Sequence, residues 1–301
     1  MVGTMASILI GTSDGLRELE KPAGLEGQTV TALAPAGPDL WAIAEGTSLL
    51  RSAGGGGWEV VADIEAHRGR CVLPLEGMDA LVGTSEARLL RLRSGRLEPV
   101  GSFDQVDGRD HWYTPWGGPP DTRSLTRDAA GALFANVHVG GIVRSDDGEA
   151  WKPTGIAVDA DVHQVLAHPS QPGLVLAATA YGLATSTDSG ETWAFDTEGL
   201  HASYCRAVAV SGETILVSAS RSHRGDQAAV YRGVNGGPFE RCRDGLPEWF
   251  ADNIDTHCLA AGDGVVALGT SDGSVYVSRD HGATWEENAE GLPSIRSVVI
   301  A

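Results

Sequence analysis

The chain has no long apolar run, so it offers no candidate membrane span. Its first residues lack a signal-like apolar segment, because Ser7–Ile10 is short and leads into a turn. Cysteine is scarce, and the four thiols (Cys71, Cys205, Cys242 and Cys258) show no paired spacing. Together these absences predict a cytoplasmic protein with reduced thiols and no membrane contact. Lysine is nearly missing: only Lys21 and Lys152 stand among the 22 basic residues. The formal charge is −18, which excludes a nucleic-acid partner needing a basic face. Also absent are a Gly-rich phosphate loop, a dinucleotide fingerprint, HExxH, CxxC and a serine nucleophile elbow.

What is present is repetition. Seven strand-like cores recur: Leu9–Gly11, Leu40–Ala44, Leu81–Gly83, Leu133–Val137, Leu174–Ala178, Ile215–Ser218 and Val265–Gly269. Counted from Leu9, Leu40, Leu81, Leu133, Val175, Leu216 and Val266, the steps are 31, 41, 52, 42, 41 and 50 residues. The step across the two termini is 44, one more repeat. A period of this size with about four short strands per unit predicts an all-β, seven-bladed β-propeller of four-stranded antiparallel blades. The ring closes when the tail strand 295–301 completes the blade begun by residues 7–20. The predicted organisation is one propeller domain over 1–301, with blade one shared between 1–27 and 294–301. A closed ring leaves no free sheet edge, so a monomer is expected.

Blade five shows the unit: His163–Pro169, Leu174–Thr179, Leu183–Ser186 and Trp193–Thr197 read as its four strands. Between the third and fourth lies Ser186-Thr-Asp-Ser-Gly-Glu-Thr-Trp193, repeated as Ser278-Arg-Asp-His-Gly-Ala-Thr-Trp285. Decayed copies are Ser145–Trp151, Ser52–Trp58 and Asn235–Phe239. Asp and Ser in such a turn can hold backbone amides, Gly supplies a positive φ and Trp caps the blade. The pattern resembles the Asp-box, or BNR, repeat of sialidase-like and WD40/YVTN-like propellers. That resemblance implies the propeller fold and places these turns away from the active face. It implies no activity, because sialidases have six blades and an Arg-Ile-Pro motif that this chain lacks.

Aligned, the seven first strands open with Thr29, Arg70, Arg123, His163, Arg206, His257 and Arg296. Apolar residues alternate behind them, as in Val72, Val165 and Val298, which puts the opening residues at one end of the central channel. Guanidinium forks suit carboxylate, phosphate or sulfate, so Arg70, Arg123, Arg206 and Arg296 are candidate ligand-binding residues for a small anionic or glycosidic ligand. Alternatively each pairs with a neighbouring Asp and ties blades together. Asp121, Asp161 and Asp255 stand two residues before Arg123, His163 and His257, on the same strand face, with Tyr204 at the matching place in blade six. These four are the candidate catalytic groups for acid/base chemistry of a hydrolase or lyase. His138, near the end of a second strand, joins His163 and His257 as a candidate site for a divalent metal, Zn, Cu or Fe, with Asp161 or Asp255 orienting the imidazoles. Ordinary hydrogen bonding of each His is the alternative.

The longest insert, 104–122, carries His111, Trp112, Tyr113 and Trp116 on the same side of the ring. It reads as a ligand-binding lid or platform over the channel, or as a plug of its own aromatics. Two further loops, 220–229 and 247–256, belong to that side. Two functions remain open on the sequence: a small-molecule site at the channel mouth, or a non-catalytic protein-interaction scaffold.

Overall fold

The computed structural model describes residues 7–301, a ring of seven four-stranded antiparallel sheets. The strand Ile295–Ile300 pairs antiparallel with Ile8–Thr12, so the last strand is the innermost strand of blade one. The expected closure across the termini is therefore the observed one. The innermost strands of blades two to seven are Val30–Ala36, Gly69–Pro74, Thr122–Arg127, Val162–Ala167, Tyr204–Ser211 and Leu259–Gly262. Among the described residues no helix is long and apolar enough to cross a membrane.

The second strands are where the apolar runs fall, and their burial explains them. Leu133–Val137 and Val175–Thr179 are buried along their whole length, because each lies between neighbouring blades on both faces. The core is accordingly a belt of six clusters lying between neighbouring blades rather than one centre. All four cysteines are buried. Burial pushes the Cys71 and Cys205 thiols up to about 12, so they are apolar fillers and not reactive thiolates.

The Ser-x-Asp turns lock the outer edge. Ser186 Oγ accepts from the Gly190 amide at 2.7 Å, Asp188 accepts from the Thr192 amide at 2.9 Å, and Trp193 Nε1 donates to Gly190 O at 3.0 Å. The turn of blade seven repeats this through Ser278, Asp280 and Trp285 at 2.8, 2.9 and 3.1 Å. Four amide and hydroxyl donors on each Asp hold its carboxyl down to about 2. Antiparallel order puts these turns on one face, and the starts of the first strands on the other.

Register supplies a feature the alternation pattern hid. In six blades the first strand carries a β-bulge near that second face, where one residue has no partner across the ladder. The extra residue is Thr31, Arg70, Arg123, His163 and Arg296 in five of them, and one of Arg206 and Ala207 in blade six. A bulge re-aims a side chain that strict alternation would bury. Five of the seven ring positions read from the sequence thus fall at bulges; Thr29 and His257 do not, and His257 lies ahead of the strand Leu259–Gly262. In blade two the bulge residue is Thr31; Thr29 lies ahead of the strand, bonded through its backbone to Glu45.

Neutral polar groups also staple blades four to six. Buried Asn136 donates to Val162 O at 2.6 Å, Ser124 Oγ accepts from the Val165 amide at 2.9 Å, and Gln164 donates to Val208 O at 3.1 Å. These bonds fix the spacing of the three strands that carry Arg123, His163 and Arg206.

Candidate functional site

The segment 253–258 crosses the channel instead of continuing a first strand, which is why the strand of blade seven begins only at Leu259. Ile254 O accepts from Ser218 Oγ at 2.9 Å. Thr256 Oγ1 donates to His163 O at 3.1 Å and lies 3.3 Å from Arg206 O. His257, held at φ 65°, donates from Nε2 to Arg123 O at 3.1 Å. Its own carbonyl accepts from the Val298 amide at 2.8 Å. One short segment thereby touches blades four, five, six and one, and forms a floor under the mouth of the channel.

On that floor stand the charged groups. Asp255 accepts from Arg123 Nη2 at 2.7 Å and from Arg206 Nη1 at 3.1 Å, joining residues far apart in the chain. Burial raises the Asp255 carboxyl, but the two guanidiniums outweigh it and hold it down to about 2. Arg206 also donates to Tyr204 Oη at 3.3 Å and lies 5.5 Å from the centre of that ring. Burial pushes the Tyr204 hydroxyl up, so it stays protonated near neutrality. Arg70 pairs with Asp121 at 2.9 Å on the more exposed rim. Arg296 is exposed and has no carboxylate partner among the described residues. With Arg206, Asp252, Asp255 and Ser271 it lines a cavity of about 140 Å³.

Beside this network lies a second cluster. His138 Nε2 is 3.1 Å from one Asp161 oxygen, and His163 Nε2 is 3.5 Å from the other. His163 is wholly buried and its Nδ1 donates to Cys205 O at 2.7 Å. Burial lowers the His163 pKa. The Tyr204 ring meets His163 edge-on at 4.7 Å between centroids, which connects the two clusters.

The sequence-derived sets are therefore regrouped. His257 does not join His138 and His163. Its Nε2 is committed to a backbone carbonyl, and Asp161 takes the third place beside the two imidazoles. Asp121 and Asp255 act as counter-ions to arginines, so the blade-tying alternative describes them well. The arginines do not form one open ring, since Arg70 faces Asp121 while Arg123 and Arg206 share Asp255. The long insert divides in the same way. Trp112 packs against Phe103 at 6.0 Å and beneath Arg109 at 4.7 Å, because its apolar area is better buried at the blade junction. His111 is exposed beside Asp110 at 3.2 Å. Tyr113 and Trp116 are exposed, and only Trp116 reaches the cluster, 5.3 Å from the His138 ring. The bridging role of 253–258 had no sequence signal beyond loop length.

A larger groove of about 800 Å³ lies elsewhere, between the outer strands of blades two and three. Asp104 on its wall is already paired with Arg88 at 2.8 Å and Arg109 at 3.7 Å, and the convergent chemistry is at the channel mouth.

Comparison with known proteins agrees with this architecture. Residues 116–297 match the DUF6242 beta propeller domain. The chain belongs to that family. No curated protein matches it. Among solved structures it is similar to the RRP9 WD40 repeats, with a TM-score of 0.66 and 14% identity over 97% of this chain and 88% of that one. An ancestral GH74 enzyme gives 0.65 and 13% identity, covering 100% of this chain but 40% of that one. YCF48 bound to D1 peptide gives 0.59 and 15% identity over 93% and 92%. The DUF6242 member thus shares its propeller fold with enzymes and with non-enzymes, and at these identities the likeness is one of fold alone.

Proposed function

We propose that this propeller binds a small anionic ligand at the mouth of its channel, beside groups able to move protons. The observation that carries the reading is Arg296. It faces a cavity without a carboxylate of its own, next to Arg206, whose charge is only partly matched by the shared Asp255. Three guanidiniums, of Arg123, Arg206 and Arg296, stand against the carboxylates of Asp252 and Asp255, and a carboxylate or phosphate would complete the balance. Tyr204 lies alongside, against His163, as an acid/base group for hydrolase or lyase chemistry on such a ligand. The Ser-x-Asp turns on the opposite face support reading the chain as an Asp-box propeller, with those turns structural.

Thermal-shift measurement against inorganic phosphate, sulfate, acetate and acidic sugars tests the reading. A ligand at a hundred times its Kd stabilises by about 2.7 kcal/mol, a shift of several degrees. Arg296→Ala is expected to abolish that shift while leaving the melting temperature without ligand within about 1 °C, since the side chain is exposed. No response from any anion, or a response that survives in Arg296→Ala, overturns it.

A second reading rests on Trp116 and Tyr113, which are 65% and 53% exposed beside the mouth. Large aromatics in that position suit an interaction scaffold whose loops hold a protein partner. Specific copurification of a partner, lost on replacing both with Ser, favours it over the anion site.

A further inference from the structure

We infer that His138, Asp161 and His163 form a binding site for one first-row divalent metal ion of the zinc class. The site lies next to the proposed anion pocket and does not depend on it.

The reasoning starts from His163. Its Nδ1 faces a backbone carbonyl, which can only accept, so the proton sits on Nδ1. A neutral ring then presents a bare lone pair at Nε2. That atom is fully buried, has no hydrogen-bond partner, and lies 3.5 Å from an Asp161 oxygen. Two buried acceptor atoms then face each other with no hydrogen bond between them, an unfavourable contact. A cation between the two removes the conflict.

The other atoms agree. His138 Nε2 and Asp161 Oδ1 are also buried without a hydrogen-bond partner, although 3.1 Å apart. The ligand atoms of the three residues all lie within 4.8 Å of one another. Zn–N bonds of about 2.05 Å in a tetrahedron give edges of about 3.4 Å, and the separations of 3.1 and 3.5 Å straddle that value. The bond from His163 Nδ1–H to Cys205 O is the outer-partner arrangement that fixes the tautomer of a ligating imidazole. Two imidazoles and one carboxylate suit zinc and ferrous iron more than magnesium or calcium. His138 and Asp161 are only partly covered, so a further position can take water or a ligand atom.

The test uses the full chain, stripped with a chelator and reloaded with Zn²⁺, with Co²⁺ as a visible-absorption probe. About one equivalent is expected to bind, to raise the melting temperature, and to give a cobalt d–d spectrum of nitrogen and oxygen ligation. Asp161 sits in the left-handed region at φ 50°, which Asn tolerates, so Asp161→Asn keeps the backbone. His138→Asn changes a partly exposed residue on a turn and leaves buried His163 in place. Each variant is expected to weaken Zn²⁺ at least as far as the ~100-fold upper range for loss of an outer partner. Arg296→Ala is expected to bind Zn²⁺ normally, which separates failure of the anion pocket from failure of the metal site. No uptake above background, or uptake unchanged in folded His138→Asn and Asp161→Asn, overturns the inference.

Discussion

Deleting residues 295–301 is expected to leave the protein unfolded, or to lower its melting temperature by at least ~10 °C. Ile295 and Val298 are each 3% exposed, and burying such side chains contributes about 1.5–3 kcal/mol apiece. The same deletion strips the ladder from Ile8–Thr12 and uncovers Ile8 and Ile10, which are buried against it. It also leaves Ile8–Thr12 as an uncovered inner edge of blade one. The summed loss is on the order of the whole stability of a domain. Circular dichroism and calorimetry of the truncated chain decide the matter, and a melting point within a few degrees of the parent would refute ring closure by this strand.

Asp255→Asn is expected to cost about 2 kcal/mol at neutral pH, below the cost of breaking a fully buried pair because the Asp255 side chain is 44% exposed. The loss arises from leaving Arg123 and Arg206 as neighbouring like charges. Its pH dependence has a definite sign. An unfolded Asp titrates near 3.9, whereas folded Asp255 titrates at about 2. A carboxyl depressed on folding stabilises above the unfolded value and loses that contribution as pH falls through the folded one. The melting temperatures of parent and variant should therefore differ most above pH ~4 and converge toward pH ~2. Parallel curves across that range would mean that Asp255 is not the bridging counter-ion.

Much of this was legible in the residues. The repeat of Leu- and Val-rich cores gave the blade count, because a second strand buried on both faces must be apolar. The step across the termini gave closure, and Ser186–Trp193 and Ser278–Trp285 gave the turns, whose bonds are local. What reaches the mouth was legible in part. Arg123, His163 and Arg206 stood out because a polar residue interrupts an apolar strand at a fixed place, and a bulge is the physical reason. The partners were harder to see. Asp255 meets Arg123 across the ring, and His257 turns to a carbonyl rather than to His138. Both depend on the path of a loop that crosses the axis, which no local pattern encodes. Trp112 and Trp116, four residues apart, ended in a core and in solvent for the same reason.

The central claim is that side chains from separate blades meet at the channel mouth. A double-mutant cycle on Arg123→Ala and Asp255→Ala, read by denaturant unfolding, measures that meeting directly. A coupling of at least ~1 kcal/mol is predicted, as for residues in one charged network. Additive losses, within about 0.3 kcal/mol, would contradict it.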